Sequence, residues 1–469
     1  MRKVHPAHVN LMNEGIVFST NESAPVQNLI RPQNRAQNAK IGFFFLWLFT
    51  VAVYARPEDI VPELGQLHLT FVFGLCSGLA FLGALLSGNT RLLWSRELQI
   101  VLLLTVWYIV SIPFAFWRGG SFQILLNLWL KTLFIFFLLT QTLVTLERIR
   151  RLLWAIILSE LFVTSFSIVQ SSRVIWVGGR MLGVNLGMLG WNFLGIAAAV
   201  TIPYIAAIFV LRRSLLTTGL LAAAFFSMLW MVVLTASRGG LLNVVFSVVL
   251  TSLLVLRGSF RGRMVGVGII LTLVCAVCLA PQVFWQRLET VWNNSDSYAN
   301  QVAASAQEST EDRVAVLSRS IQYTLEHPIF GLGLGNFEVA SGANLGQSAA
   351  WVGTHNTFTQ VSSEAGIPAL LLFVGLLITA LLNMKRIGQV FSKTPEEREL
   401  NLMARATLAS LLSFSFGAFF AHFAYEYYFF YPVAIAVGIQ HVARTTRIIA
   451  PARKDDFVFN PQVLAAQES

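Results

Sequence analysis

Charged residues are scarce in this chain of 469 residues. Asp, Glu, Lys and Arg make up 12% of it and apolar residues 55%, whereas a soluble domain carries about a quarter charged residues. So few charges cannot cover the surface of a water-soluble protein of this length. The 37 Phe and 12 Trp residues exclude intrinsic disorder, because they provide abundant apolar surface to bury. The composition therefore predicts a protein whose main solvent is lipid.

Cysteine is also scarce, and the N-terminal residues do not resemble a cleaved leader. The three Cys residues, at 76, 275 and 278, all lie in apolar runs, which excludes a disulfide framework. Cys275 and Cys278 have C-x-x-C spacing, but no nearby His or second pair accompanies them, so we expect no metal there. No apolar stretch precedes Ile41, so residues 1–40 are expected to be a cytoplasmic tail rather than a cleaved leader.

Long apolar runs are abundant instead. A membrane span needs about 20 mostly apolar residues. Twelve runs come near that length, which predicts an all-α polytopic membrane protein with about 12 transmembrane helices. The predicted spans are 41–55, 67–87, 98–117, 125–143, 152–170, 192–211, 215–236, 240–256, 264–281, 366–384, 404–421 and 424–443.

The distribution of basic residues predicts the orientation of these spans. If the N-terminus is cytoplasmic, 24 of the 33 Lys and Arg residues fall in cytoplasmic segments and eight in outer segments. Cytoplasmic loops of membrane proteins carry such an excess. We therefore expect both termini to be cytoplasmic. The net charge of +10 is then explained by membrane anchoring, and no nucleic-acid partner is expected.

One outer loop is much longer than a simple connection. Long loops in compact proteins are often functional. We expect residues 282–360 to be a periplasmic loop containing short helices. The full predicted division is a tail over 1–40, nine transmembrane helices over 41–281, the loop over 282–360, three transmembrane helices over 361–443, and a cytoplasmic tail over 444–469.

Within this loop, apolar residues recur at helical spacing. The pattern predicts an amphipathic helix over 311–327, capped by Ser309 or Thr310. Its apolar residues are Val314, Leu317, Ile321 and Leu325. The motif GLGLGN at 331–336 follows. Because no βαβ unit surrounds it, we interpret it as a turn rather than a nucleotide-binding loop.

Two outer arginines lie in glycine-rich contexts. Arg180 belongs to GGRMLG, and Arg238 belongs to SRGG at the end of one predicted span and the start of the next. A charge near hydrocarbon is costly and therefore suggests a function. The planar guanidinium group suits phosphate oxygens. The alternative is that these side chains reach for lipid headgroups.

His355 is the second chemical signal, because it ends the long loop just before a predicted span. An imidazole titrates near neutral pH and can act as a general base. The alternative is that His355 is a cap or interface residue. Thr354 and Asn356, its neighbours in the chain, are equally good capping groups.

Four further ionisable residues interrupt apolar runs. His422 and Glu426 are four residues apart, and we expect them to pair on one helix face rather than to be catalytic. Glu160 and Lys131 lie inside predicted spans, and we expect them to pair across two helices.

Several motifs together resemble the O-antigen ligase and O-antigen polymerase superfamily. They are SRGG at 237–240, HPIFGLGLGNF at the end of the long loop, HNTFTQVSSEAGIP at 355–368, GRMLGVNLGMLGWNFLG around Arg180, and RPEDIVPELG after the first span. The resemblance covers roughly residues 170–385. No single motif carries it; the order, the spacing and the shared outer side do.

The resemblance implies a bacterial inner-membrane glycosyltransferase, inverting and metal-independent, with no cofactor. Such enzymes move a glycan from an undecaprenyl-diphosphate carrier to an acceptor hydroxyl at the periplasmic face, in polysaccharide biosynthesis. The acceptor is lipid A-core for ligases, another lipid-linked glycan for polymerases and a protein side chain for some relatives. Membrane lipids and other polysaccharide assembly proteins are expected partners.

The resemblance also assigns roles to residues. His355 would be the general base that activates the acceptor, and Arg238 and Arg180 would bind the diphosphate. Arg313, in the STEDR stretch, matches a family loop arginine, although the aromatic residue that often follows in the family is missing here.

Two alternatives remain open at this point. A transporter or flippase for lipid-linked glycans would also have many spans, but it typically shows more ionisable residues inside the membrane and internal repeats. A non-catalytic membrane scaffold would need no Arg and His on one face.

Overall fold

The computed structural model describes residues 39–446 except 171–174, 178–179, 184–190, 213, 258–259, 290–300, 347–351 and 391. The described chain is helical apart from one short β-hairpin. This agrees with the fold class that composition predicts.

The first half of the chain contains seven helices before the hairpin. They are α1 (Lys40–Ala55), α2 (Pro57–Ile60), α3 (Leu69–Leu86), α4 (Arg96–Ser111), α5 (Arg118–Ile124), α6 (Leu130–Thr142) and α7 (Leu146–Val169). A π-helical turn, Leu125–Trp129, joins α5 to α6. Short 3-10 turns, Pro62–Leu67 and Ile112–Phe114, flank α3 and α4.

The second half begins with strands β1 (Ile175–Val177) and β2 (Arg180–Gly183). The helices after them are α8 (Trp191–Leu211), α9 (Leu215–Leu234), α10 (Arg238–Thr251), α11 (Phe260–Cys278), α12 (Gln282–Glu289), α13 (Gln301–Glu326), α14 (Phe337–Leu345), α15 (Thr357–Gln389), α16 (Pro395–Gly417) and α17 (Tyr427–Thr445). A π-helical turn, Ser252–Leu256, extends α10.

Nine helical segments among the described residues are long and apolar enough to cross a membrane. The apolar helix Gly262–Cys278 is shorter, and α16 and α17 are not among the nine. Each of the twelve predicted spans nevertheless lies on a helix. The structure therefore confirms a multi-pass helical membrane protein, and the count of twelve crossings stays a prediction.

Helices α8, α10 and α16 pack against one another at the centre of the second half. The closest approach joins α8 and α10 at two glycines. A Cβ atom on Gly195 would lie 2.2 Å from the Cα of Gly240, so any larger residue would separate the helices. This glycine contact fixes the start of α10, where the SRGG motif lies, against the start of α8.

Helix α15 is broken at Gly366, whose φ of 81° and ψ of 175° are not helical. A Cβ atom there would lie 1.9 Å from the carbonyl oxygen of Ile329, so the backbone of the preceding loop occupies that space. The amide of Ile367 donates to the carbonyl of Pro328 at 2.8 Å. The break falls where the sequence predicts the span to begin, and it leaves 357–365 as a separate helical segment outside the apolar part.

The loop 331–336 docks on this broken segment as a tight turn, which confirms its interpretation as a turn. The amide of Leu332 donates to the carbonyl of Ser363, and the amide of Gly333 donates to the carbonyl of Glu364, both at 2.8 Å. Gly333 has a φ of 98°, and a Cβ atom on it would lie 2.3 Å from that of Ala115. The sequence Gly-Leu-Gly-Leu-Gly therefore serves close packing.

The amphipathic helix of the long loop is present, but its boundaries differ from the prediction, and its apolar stripe is not its buried face. Helix α13 begins at Gln301, so neither Ser309 nor Thr310 caps it. Val316 and Tyr323 are its buried apolar residues, next to Leu332 and Phe337. The predicted stripe is exposed, at 65%, 38%, 47% and 71% for Val314, Leu317, Ile321 and Leu325 respectively.

Two predicted side-chain pairs are wrong. Glu160 accepts a hydrogen bond from the Thr201 hydroxyl at 3.2 Å, while Lys131 is exposed. His422 and Glu426 do not share a helix face, because α17 begins only at Tyr427. Both residues belong instead to segment 418–426, which connects α16 to α17.

Candidate functional site

Arg238 is the first residue of α10, at the end of the molecule where α8, α10 and α15 begin; we call this the site end. Ser237 caps the helix, and its hydroxyl accepts from the amide of Gly240 at 3.1 Å. The Arg238 side chain is partly buried. The chain therefore holds a guanidinium group at the boundary between the helix bundle and the long loop.

Arg313 reaches the same place from α13. Helix α13 is held by its neighbours: the hydroxyl groups of Thr324 and Ser362 lie 2.8 Å apart, and the Asn344 amide donates to the Tyr323 hydroxyl at 2.8 Å. Burial lowers the pKa of the Arg313 guanidinium, and the charge of Arg238 lowers it further. The second effect places two cations from distant segments near one another at the site end.

His355 lies immediately before α15 in a left-handed backbone conformation, with a φ of 50°. This conformation is uncommon for a residue other than glycine and suggests a constrained position. Asn356, not His355, caps the helix, because its side chain accepts from the amides of Phe358 at 2.9 Å and Thr359 at 3.2 Å. The capping alternative for His355 is therefore excluded.

Segment 418–426 is fastened to the start of α15 by hydrogen bonds. The Thr357 amide donates to the Ala418 carbonyl at 2.8 Å, and its hydroxyl donates to the Ala421 carbonyl at 2.7 Å. The amide of Ala424 donates to the Gln360 side chain at 3.1 Å. These bonds place His422 beside His355, although 66 residues separate the two in sequence.

The two imidazole rings form an edge-to-face pair. Their centroids lie 5.5 Å apart and their planes are inclined by 65°. Burial lowers the pKa of His355 to about 4, and His422 and Arg313 add to the effect. Burial also lowers the pKa of His422. Both rings are therefore neutral at pH 7, and His355 can accept a proton.

His422 is the site residue whose position the sequence did not predict. Gly353 packs against its ring, since a Cβ atom on Gly353 would lie 2.7 Å from the Cε1 atom. The Nδ1 atom of His422 is buried and has no hydrogen-bond partner among the described residues. A buried unsatisfied polar atom is costly and is often found at functional sites. No local pattern links this residue to His355, because the link is made through space.

Glu364 is the second residue that the sequence analysis missed, and its role is to join three segments. Its carboxylate accepts from the amides of Gly335 at 3.0 Å and Phe337 at 3.3 Å, and from the hydroxyl of Tyr425 at 2.7 Å. The side chain is fully enclosed. The one sequence signal that could have pointed to Glu364 is that it is the single charged residue in the run QVSSEAGIP. Glu364 thus ties the glycine turn, α15 and the segment carrying His422 into one support.

Arg180 is the first residue of β2, and its backbone pairs with Val177. Its side chain lies outside the described part of the structure. Met181, the next residue, packs against Met231 and Leu234 at the end of α9. The hairpin therefore lies close to the turn that leads to Arg238, while the predicted contact of Arg180 with a diphosphate stays a prediction.

The site end combines fixed cations with a neutral base. Arg238 and Arg313 suit an anion with several oxygens, such as a diphosphate. His355 suits removal of a proton from a hydroxyl group. Within the described ranges, no group of three or more His, Cys, Asp and Glu side chains is placed to hold a metal ion.

Comparison with protein families gives a match over part of the chain. Residues 223–374, about a third of the chain, match the family model described as O-antigen ligase. The match confirms the resemblance inferred from the motifs. It spans α9 to the first half of α15 and includes Arg238, Arg313 and His355, whereas Arg180 and His422 lie outside it. No curated protein matches the chain.

Proposed function

We propose that this membrane protein, whose residues 223–374 carry the O-antigen ligase domain, is a glycosyltransferase of the ligase or polymerase type. It moves a glycan from an undecaprenyl-diphosphate carrier to an acceptor hydroxyl at the periplasmic face of the bacterial inner membrane. The observation that carries the proposal is that Arg313 lies near enough to both His355 and Arg238 for their charges to interact at the site end.

The donor diphosphate is bound by the arginines. Arg238 from α10 and Arg313 from α13 offer forked donors to its oxygens, and Arg180 adds a third from the hairpin. Negative charge grows on the diphosphate as the glycosyl bond breaks, so fixed cations stabilise the transition state more than the ground state. The mutual repulsion of Arg238 and Arg313 is relieved when the anion lies between them. This accounts for two partly buried cations at one place.

The acceptor is activated by His355. Its ring takes the proton from the acceptor hydroxyl while that oxygen forms a bond to the anomeric carbon. The bond from this carbon to the phosphate oxygen breaks, and the diphosphate carrier leaves with the electron pair. One displacement of this kind inverts the configuration at the anomeric carbon. Diphosphate is a good leaving group, so no separate acid and no metal ion is required.

His422 supports the proton transfer. Its ring lies edge to face with that of His355 and restricts its orientation. Because burial keeps His422 neutral, it does not compete with His355 for positive charge in the transition state. Gly353 leaves the room that this packing needs.

A reconstitution assay distinguishes a glycosyltransferase from a flippase of lipid-linked glycans. The purified protein is given a panel of polyprenyl-diphosphate-linked oligosaccharides together with candidate acceptors, and the products are separated by mass. The proposal predicts a new glycosidic product with release of the polyprenyl diphosphate, and loss of both in Arg238→Ala. Movement of intact donor across vesicles without any new bond would contradict the proposal and support a flippase.

A further inference from the structure

A large pocket lies at the opposite end of the bundle from the site end, between the first turns of α1 and α7. Its volume is about 710 Å³. The residues that line it are Lys40, Phe43, Phe44, Trp47, Thr145, Glu147, Arg148, Arg151 and Trp154. The other end of helix α7 lies beside the hairpin, where Ile168 packs against Met181. The rise of an α-helix puts about 30 Å between Arg148 and Ile168, so this pocket is separate from the glycosyl-transfer site.

The charged residues of the pocket are mainly basic. Three cations, Lys40, Arg148 and Arg151, accompany a single carboxylate, that of Glu147, which forms a salt bridge with Arg151 and leaves the pocket with a positive excess. Arg148 is only 8% exposed, and it is held by a 2.9 Å bond from Nη1 to the Thr142 carbonyl and by the ring of Phe43, 5.4 Å from its guanidinium carbon. A positive charge held in such a poorly solvated place attracts an anion more strongly than one in water.

The deeper walls of the pocket are aromatic. Trp47 lies two helical turns beyond Lys40, about 10 Å further along α1, and Trp154 lies two turns beyond Glu147 on α7. The Trp47 indole donates to the Arg151 carbonyl at 3.1 Å, which closes the wall between the helices. Beside the pocket, the Phe44 side chain is 55% exposed on the outer surface of α1.

This order of residues matches the order of groups in a phospholipid. Basic side chains lie at the helix starts, where a membrane has its phosphates. The rings of Trp47 and Trp154 follow at the depth of the ester groups, and the exposed Phe44 side chain offers an apolar surface beside them to an acyl chain. A free phosphate ion would use only the first of these layers. Basic pockets between membrane helices are suited to anionic headgroups.

We propose that the pocket between α1 and α7 binds an anionic phospholipid. The headgroup phosphate lies between Lys40 and Arg151, above the buried charge of Arg148. The glycerol ester region packs against Trp47 and Trp154, and an acyl chain follows Phe44. The bound lipid would fasten α1 to α7 and so stabilise the helix bundle without taking part in glycosyl transfer.

The test compares two double variants that lose equal charge. Lys40→Gln/Arg151→Gln removes both exposed cations of the pocket, and Arg91→Gln/Arg398→Gln removes two exposed arginines elsewhere as the control. Arg148 is left unchanged because its side chain is buried in the structure. Each protein is placed in nanodiscs of phosphatidylcholine alone or of phosphatidylcholine mixed with phosphatidylglycerol. The melting temperature and the retained phosphatidylglycerol are then measured.

The wild type and the control should melt at a higher temperature in the mixed lipid and retain phosphatidylglycerol after purification. The pocket variant should lose at least half of that rise and most of the retained lipid, because a ligand stabilises only the protein that binds it. An equal rise in both double variants would overturn the proposal. So would an equal rise of the wild type with inorganic phosphate in phosphatidylcholine, or no rise in either lipid, which would point to occupation by the chain itself.

Discussion

At the scale of single residues, the chemistry rests on a neutral imidazole beside two guanidinium groups. Burial favours the neutral form of His355 most, and electrostatic repulsion from the neighbouring His422 and Arg313 side chains lowers its pKa further. A base of low pKa is weak, yet it is fully available at physiological pH. In the proposed reaction, Arg238 and Arg313 compensate for the weakness, because they make the departing diphosphate a better leaving group.

Arg238 is expected to act through the paired N–H donors of its planar guanidinium group and not through charge alone. Arg238→Lys keeps the charge but loses the planar pair of donors. We expect glycan transfer by Arg238→Lys to fall nearly as far as in Arg238→Ala, when both are assayed at matched membrane level. Near-normal transfer by the lysine variant would mean that a simple charge suffices, or that Arg238 only anchors the end of α10.

The lowered pKa of His355 predicts the acid limb of the pH profile. The free base persists until the pH falls to its pKa of about 4, so kcat/KM should stay level from neutral pH down to about 5 and fall below that. In His422→Phe the limb should move to higher pH, because one of the causes of the lowered pKa is removed. His327→Phe, an exposed residue at the end of α13, serves as the control. An acid limb near 6.5 in the wild type would contradict the assignment.

Three of the residues that the sequence singled out, Arg238, Arg313 and His355, come together at the site end. Arg238 begins a helix and His355 immediately precedes one, and such signals are visible in sequence, whereas Arg313 lies inside α13 and was assigned by the family resemblance alone. His422 had no comparable signal. Its importance depends on the hydrogen bonds that fasten segment 418–426 to Thr357 and Gln360, and contacts between distant segments have no local pattern.

At the scale of elements, the break in α15 organises the site. The segment 357–365 stands apart from the apolar part of the helix. It carries Glu364 on one side and the bonds to segment 418–426 on another. The backbone of Pro328 and Ile329, just before the glycine turn 331–336, fits into the break because Gly366 has no side chain. Two loop segments, the one that ends in the glycine turn and segment 418–426, are therefore fixed to one helix.

Gly366→Ala should unfold this arrangement. The backbone conformation at Gly366 is almost restricted to glycine and costs other residues about 1–3 kcal/mol, and a Cβ atom would also collide with the Ile329 carbonyl oxygen. We expect a markedly lower melting temperature in detergent.

Gly375→Ala is the matched control for that experiment. It lies in the same helix with open space around its would-be Cβ atom, and it should melt like the wild type or slightly higher. Equal melting temperatures of the two variants would show that the break does not hold the loops.

Helix α13 shows what an amphipathic pattern can and cannot predict. The periodicity correctly predicted a helix, but it did not indicate which face the protein buries. Near a membrane, an apolar stripe can face either the protein or the lipid, and spacing alone does not distinguish them. The buried face uses Val316 and Tyr323 with small polar residues between them, which gives a weaker signal than the exposed stripe of Leu and Ile.

At the scale of the whole molecule, the alternating direction of the helices places the two proposed lipid sites at opposite ends of the bundle. The glycosyl-transfer site lies where α10 and α15 begin, and the basic pocket lies where α1 and α7 begin. Apolar run length was enough to predict every helix of the bundle, because lipid demands continuous helices with satisfied backbone groups. Run length did not settle the number of crossings. Helices α16 and α17 carry buried polar residues and are not among the nine segments that are apolar enough to cross a membrane.

Accessibility labelling tests the orientation that the basic residues predict. In a variant with Cys76, Cys275 and Cys278 replaced by Ala, single cysteines are introduced by Ser318→Cys on α13 and Lys393→Cys before α16, both exposed positions. A membrane-impermeant maleimide added to intact spheroplasts should label the first and spare the second. The reverse pattern would place the site in the cytoplasm and remove the reason for a periplasmic glycan donor.

The measurement that tests the account most directly is transfer by His355 variants with donor binding measured on the same protein. His355→Ala should slow transfer by about 10² to 10⁴, while binding of a polyprenyl-diphosphate-linked oligosaccharide and the melting temperature stay close to the wild type. His355→Asn, which tolerates the left-handed backbone conformation, should behave in the same way and separates loss of the base from backbone strain. A well-folded His355 variant that transfers glycan at the normal rate would contradict the account.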